Sequence, residues 1–329
     1  MRRLSYSIVD VFSNVPYKGN PLAVVSNTAS SLTKTQMQLI ARQFNLSETT
    51  FICAPIKPGS TYRLRSFLPN GEEVFGAGHN SLGAWWHIID SKLLRRDNNT
   101  ESNTYHQELG DYVLPVEVSG SNEINITMSQ GSPQFLDKHP DKATLAKALG
   151  IQPTEIGFEY DGKTLAEPQV VTTSPARHLL VPVRDKETLD RIDFSDLEAL
   201  ARELAKTNSY NSGVYAFTPV GSETNVLKLE ARFFSPGMGM EDPATGSAAG
   251  PLAAFLCTKG IARLSDGGST EIEVAQGLKK GRECRMKLTA NKDAGSDSLK
   301  IRISGTGVLV AEGSLAVPSV DIDFRAFQS

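Results

Sequence analysis

The chain repeats a pattern along its length. TTFICAP (49–55) leads to YRLRSFLP (62–69) and then to GAGHNSLGAWW (76–86). GVYAFTP (213–219) leads to LEARFFSP (229–236) and then to ATGSAAGPLAAF (244–255). Arg65, Phe67 and Pro69 answer to Arg232, Phe234 and Pro236. Each stretch reads as strand, loop, strand, proline turn, glycine loop and apolar helix. Such a repeat predicts an α+β fold of two pseudo-symmetric halves. Each half would be a mostly antiparallel sheet wrapped around a central apolar helix.

The surrounding sequence fits that plan. KGNPLAVVS (18–26) reads as a turn and a short strand. LTKTQMQLIARQFN (32–45) reads as a helix, with Thr33 as its cap and Met37, Ile40, Ala41 and Phe44 at helical spacing. SDLEALARELAKT (195–207) opens on Ser195 and Glu198, the spacing of a capping box. Residues 90–112, with RRDNNTESN inside, read as an exposed connection. Trp85 and Trp86 read as core of the first central helix.

Bulk properties exclude several classes of function. The formal net charge of the 329 residues is −3, and no run of Lys or Arg marks a nucleic-acid surface. No apolar run approaches the roughly 18 residues of a membrane span. Cys53, Cys257 and Cys284 are odd in number and widely spaced, which argues against a disulfide framework. The N-terminus carries no apolar segment of signal-peptide length, and the cytoplasm is the expected compartment.

Both helices start at glycine turns. If the halves face each other, two helix N-termini with free N–H groups point into one cleft, a natural place for a carboxylate. GAGHNSLG has the spacing G-x-G-x-x-x-x-G and follows a turn with two acids. It is not a dinucleotide fingerprint. No histidine pair has the spacing of a helical zinc site, so no metal is expected. His79 opens the first helix, and Asp242 precedes the second glycine turn. Meeting across the cleft, the two would suit proton transfer. A His capping its own helix and an Asp bracing its own loop account for them equally well. Glu48, at the end of a strand rich in Thr and Phe, would be partly desolvated and so held toward its protonated form. An exposed loop glutamate is the alternative.

KGNPLAVV, LSETTF, the F-x-P turn before GAGH, and EDPATGSAAGPL together resemble the PhzF-like family of phenazine-biosynthesis-like proteins, in order and over nearly the whole chain. The resemblance implies the diaminopimelate epimerase fold, with a barrel-like sheet around each central helix. On that plan the first half takes 1–128 plus 312–329, and the second takes 129–311. It places the family's catalytic glutamate on Glu48, its histidine on His79 and its aspartate on Asp242. Ser47, Gly78, Gly246 and Ser247 become substrate-binding residues. The implied activity is isomerisation, without cofactor, of a small, cyclic carboxylic acid such as trans-2,3-dihydro-3-hydroxyanthranilate. Glu48 would move the proton. A homodimer is implied as well.

Family members commonly read L-P-F-A-G-H-P where this chain reads EVFGAGHNS, so Gly76 and Asn80 depart from the pattern. Asn80 would bring an extra amide to the mouth of the site. Racemases of the same fold need one cysteine at each glycine loop. Ala77 and Thr245 stand there instead, which excludes two-thiol chemistry. A non-catalytic protein that binds a small acid is the other reading of the cleft.

Overall fold

Strand Asn20–Asn27 runs parallel to Thr49–Cys53, and Thr49–Cys53 pairs antiparallel with Tyr62–Phe67. Tyr62–Phe67 then takes the two-residue strand Glu73–Val74 antiparallel and Ser102–Leu109 parallel. Later in the chain the same order returns. Leu179–Pro182 runs parallel to Val214–Glu223, which pairs antiparallel with Val226–Ser235. Val226–Ser235 takes Met240–Asp242 antiparallel and Ser269–Gln276 parallel. The preceding strands match too: Arg3–Val11 pairs antiparallel with Asn20–Asn27, and Gln169–Thr172 with Leu179–Pro182.

The computed structural model describes residues 2–76, 78–97, 100–209, 212–223, 225–237, 239–265, 268–292 and 298–319. The α+β chain divides into two units, Met1–Met128 with Ser304–Ser329 and Ser129–Ile303. The expected boundary at 312 is therefore too late. Gly307–Ala316 pairs antiparallel with Arg3–Val11 from Gly307 onward, so the chain has rejoined the first unit by then. Residues 320–329 of that return lie outside the described residues.

The registers make the two units comparable residue by residue. Phe67 faces Thr49 and Glu73, while Phe234 faces Val214 and Glu241. At these equivalent places each unit carries the same ion pair. Arg65 donates from Nε and Nη2 to the two carboxylate oxygens of Glu73, at 2.7 and 2.8 Å. Arg232 does the same to Glu241, at 2.9 Å for both bonds. Each guanidinium also lies over its own phenylalanine, Arg65 at 5.2 Å from the Phe67 ring and Arg232 at 4.8 Å from Phe234. The repeated R-x-F is thus a repeated fork-to-fork pair with a ring beneath it.

Helix His79–Asp90 is buried from His79 to Ile89, and Gly246–Thr258 from Ala248 to Leu256. A helix apolar on all sides belongs inside a sheet, where every face finds apolar partners. Trp85 is fully buried and stacks on Tyr105, while its Nε1 donates to Gln107 Oε1 at 3.1 Å. Gly83 marks the closest approach of helix and sheet. A Cβ there would lie 2.5 Å from Val11 Cγ2 and 2.7 Å from Leu22 Cδ2. We expect Gly83→Ala to cost about 1–3 kcal/mol by overpacking. Urea denaturation checks this, and a stability equal to wild type would mean the strands yield freely.

Two local readings are corrected. Ser195 does not cap the helix Leu197–Ala205; Asp196 does, its carboxylate accepting from Ala199 N. Ser195 instead donates to Asp193. Within 90–112 lies the strand Ser102–Leu109, while residues 98 and 99 fall outside the described residues. Thr33 does cap the helix Lys34–Phe44, in a box with Gln36. No helix among the described residues is long and apolar enough to cross a membrane.

Candidate active site

In the first unit, Glu48 sits between the end of helix Lys34–Phe44 and the start of strand Thr49–Cys53. His79 is the first residue of the central helix. Strand pairing brings these distant residues together: His79 Nε2 lies 3.4 Å from Glu48 Oε2. The imidazole is 6% exposed and the Glu48 side chain 21%. Burial pushes the Glu48 carboxyl from its ordinary 4.5 up to about 7, against a smaller opposing pull from the Ser47 hydroxyl. At neutral pH both forms of Glu48 are therefore populated, as suits a group that takes a proton and gives it back. Ser47 Oγ also reaches Asn20 Oδ1 at 3.5 Å.

That raised value has a consequence for stability. Between about 4.5 and about 7 the folded chain keeps a proton that the unfolded chain has released. The contribution of Glu48 to stability falls as pH rises through this window and is level above it. Melting curves of Glu48→Gln should match wild type near pH 4 and exceed it at pH 8, by on the order of 3 kcal/mol. A difference that does not change with pH would mark an ordinary, solvated carboxylate.

Asn80 turns inward. It is 3% exposed, and its Oδ1 accepts from Gly78 N at 3.1 Å. The expected extra amide at the mouth of the site instead occupies the N–H of Gly78. Gly76 is exposed, and a Cβ there would meet nothing, so packing does not demand a glycine. Ala77 lies outside the described residues.

In the second unit, Asp242 ends the short strand Met240–Asp242 and braces the turn that follows. Its Oδ2 accepts from Thr245 Oγ1 at 2.6 Å, and its carbonyl accepts from Gln276 Nε2 at 2.8 Å. Gln276 Oε1 in turn accepts from Thr245 N at 3.2 Å. Gly246 is buried and begins the helix. The hydroxyl of Ser247, one residue on, meets His178 Nε2 at 2.9 Å. Sequence reading missed Gln276 and His178. The place of His178 one residue before the buried strand Leu179–Pro182 is the signal that marks it. Among the described residues no group of three or more His, Cys, Asp or Glu is placed to hold a metal ion.

A family model described as phenazine biosynthesis-like protein matches residues 9–313. An uncharacterized isomerase of Mesorhizobium japonicum is 32% identical over 332 residues, covering 96% of this chain and all of that one. The trans-2,3-dihydro-3-hydroxyanthranilate isomerase of Pseudomonas fluorescens is 30% identical over 316 residues, covering 95% of this chain and 99% of that one. Among solved structures, a PhzF-family phenazine biosynthesis protein of Bacillus anthracis superposes with a TM-score of 0.82 at 26% identity, over 96% of this chain and all of that one. The fold, the position-by-position repeat and a match over nearly the full length agree: the chain belongs to the phenazine biosynthesis-like, or PhzF, family and is one of its isomerases.

Proposed function

We propose that this isomerase moves a proton on a small, cyclic carboxylic acid without a cofactor, with Glu48 as the general acid/base. The observation that carries the reading is the partly desolvated Glu48 carboxyl, at a pKa of about 7, 3.4 Å from a buried imidazole. Glu48 takes a proton from one ring carbon and returns one to another. His79 holds or passes protons at the substrate's polar groups, and the Ser47 hydroxyl tempers the burial-driven rise in the Glu48 pKa. Asp242, Gly246 and Ser247 enter through the family motif E-D-P-A-T-G-S, Asp242 as a proton-handling group and the other two as carboxylate-binding groups. The name of the Pseudomonas fluorescens relative supports trans-2,3-dihydro-3-hydroxyanthranilate as the first substrate to test. A homodimer in the cytoplasm completes the proposal.

Gly78 belongs to the carboxylate-binding set, and its N–H is the one that Asn80 occupies. Asn80→Ala should release that N–H for the ligand. We expect carboxylate affinity to rise by about fivefold, the worth of one hydrogen bond near 1 kcal/mol. Titration calorimetry with anthranilate checks this, and weaker binding by the variant would mean that Asn80 itself contacts the ligand.

The reaction is tested by following the absorbance of trans-2,3-dihydro-3-hydroxyanthranilate with wild-type protein from pH 5 to pH 9. Turnover that varies with a group near pH 7 supports the proposal. Binding of the acid with no conversion at any pH would favour a protein that only holds it.

A further inference from the structure

The registers that align the units also align their polar sites. Thr49 is equivalent to Val214, since each faces its phenylalanine, and Ala23 is equivalent to Leu179, its parallel neighbour. Counting from these pairs, Ser47 answers to Ser212, Glu48 to Gly213, and Leu22 to His178. His79 lies six residues past Glu73 and Ser247 six past Glu241, each directly after a glycine, so His79 answers to Ser247. The second unit therefore has no acid where the first has Glu48. It has no room for one either, because a Cβ on Gly213 would lie 2.4 Å from Phe234 O and 2.5 Å from the Phe233 ring.

A different polar set fills the equivalent place. His178 enters from the neighbouring strand position, where the first unit carries a leucine. Its Nδ1 meets Ser212 Oγ at 2.5 Å and its Nε2 meets Ser247 Oγ at 2.9 Å. The ring is 6% exposed and stands edge-on to Phe233 at 4.9 Å. Burial holds its pKa down at about 4, so the imidazole is neutral at physiological pH. A neutral imidazole donates from one nitrogen and accepts at the other. With the proton on Nε2, Ser212 donates to Nδ1 and His178 donates to Ser247, whose own hydrogen is then free to point at a ligand. With the proton on Nδ1, Ser247 must donate to the ring, and only its lone pairs face outward.

We propose that the Ser212–His178–Ser247 chain is a positioning relay: His178, protonated at Nε2, holds Ser247 as a hydrogen-bond donor to an anionic oxygen of the substrate. The proposal rests on the reading of Ser247 as a substrate-binding residue. It gives the polar set of the second unit an anion-binding task. His178 acts through Ser247 and needs no contact with the substrate.

Two measurements test it. Long-range nitrogen–proton NMR of the wild-type protein reads the His178 tautomer directly, whatever the substrate. We expect a neutral ring protonated at Nε2 from pH 6 to pH 8, and loss of that fixed tautomer in Ser212→Ala. A ring protonated at Nδ1, or at both nitrogens, would overturn the proposal.

The second measurement is calorimetric binding of anthranilate, an aromatic acid that cannot isomerise, to His178→Phe, His178→Gln, Ser247→Ala and the His178→Phe/Ser247→Ala double variant. His178→Phe should weaken binding about tenfold, as Ser247→Ala does, and the double variant should be no worse than either. His178→Gln keeps an amide donor near the Nε2 position and should recover most of the affinity. It also serves if His178→Phe does not fold. Where turnover is measurable, KM should rise more than kcat falls. Wild-type affinity in His178→Phe, or additive losses in the double variant, would overturn the relay. Anthranilate binding with this pattern, without conversion of the dihydro acid, would overturn the proposed reaction and leave the relay standing.

Discussion

Glu48→Gln is expected to lower turnover by about 10²–10⁴-fold, the range for removing a general acid/base. The amide is nearly isosteric with the carboxyl and keeps hydrogen-bonding groups, so the site keeps its shape. It cannot accept a ring proton. Ligand affinity should therefore stay within a few-fold of wild type, which separates a lost chemical step from a lost site. The variant should also be the more stable protein above pH 7, where wild type must hold an ionised carboxyl in a place that favours the neutral form. Near-wild-type turnover by Glu48→Gln would remove Glu48 from the mechanism.

Arg232→Ala should be the most destabilising single change among the repeated residues. The guanidinium and its partner Glu241 are 9% and 4% exposed, and Arg232 Nη1 also donates to the carbonyls of Leu189, Asp190 and Ile192 at 2.9, 3.3 and 3.1 Å. Truncation leaves a buried carboxylate without its fork and takes one donor away from each of three carbonyls. Breaking one side of such a pair costs about 3–5 kcal/mol. Arg65→Ala should cost less, because Arg65 and Glu73 are 16% and 10% exposed and water can reach the carboxylate left behind. Arg232→Lys should recover little, since an ammonium cannot span both carboxylate oxygens. Urea denaturation of the three variants checks the order. Equal losses in Arg65→Ala and Arg232→Ala would show that burial does not distinguish the two pairs.

Much of this fold was legible because its repeat is carried by residues with fixed roles. The R-x-F-x-P signature marks where a strand carries an arginine over its own phenylalanine and then turns. The apolar helices announce themselves by lacking a polar face. The partners Glu73 and Glu241 were not legible. They lie on strands of two and three residues, too short to show any alternation, and Glu73 reads as part of a charged turn. Ser102–Leu109 was hidden in the same way, since its first five residues are exposed or only half-buried and carry polar side chains. The cap of Leu197–Ala205 was misplaced by one residue because Ser195 and Asp196 are both good caps, and only the backbone chooses between them.

At the site, sequence placed Glu48, His79, Asp242 and Ser247 at element ends but did not show their neighbours. It offered His79 facing Asp242, or each serving its own turn, and it showed neither Glu48 beside His79 nor Thr245 on the Asp242 carboxylate. Strand register fixes such contacts, and register is a property of pairing that no single segment displays. His178 shows the same limit. Its weight comes from the two hydroxyls that flank it, and those arrive from a loop and a helix far along the chain.

On the proposed mechanism this chain moves a proton through Glu48. The most direct test is deuterium uptake into trans-2,3-dihydro-3-hydroxyanthranilate in deuterated water, with wild type and Glu48→Gln run side by side and read by mass spectrometry. Wild type is expected to give isomerised product carrying solvent deuterium on ring carbon, and the variant none above the uncatalysed background. Equal uptake by the two proteins, or product formed by wild type while Glu48 is irrelevant to its rate, would contradict the proposed mechanism.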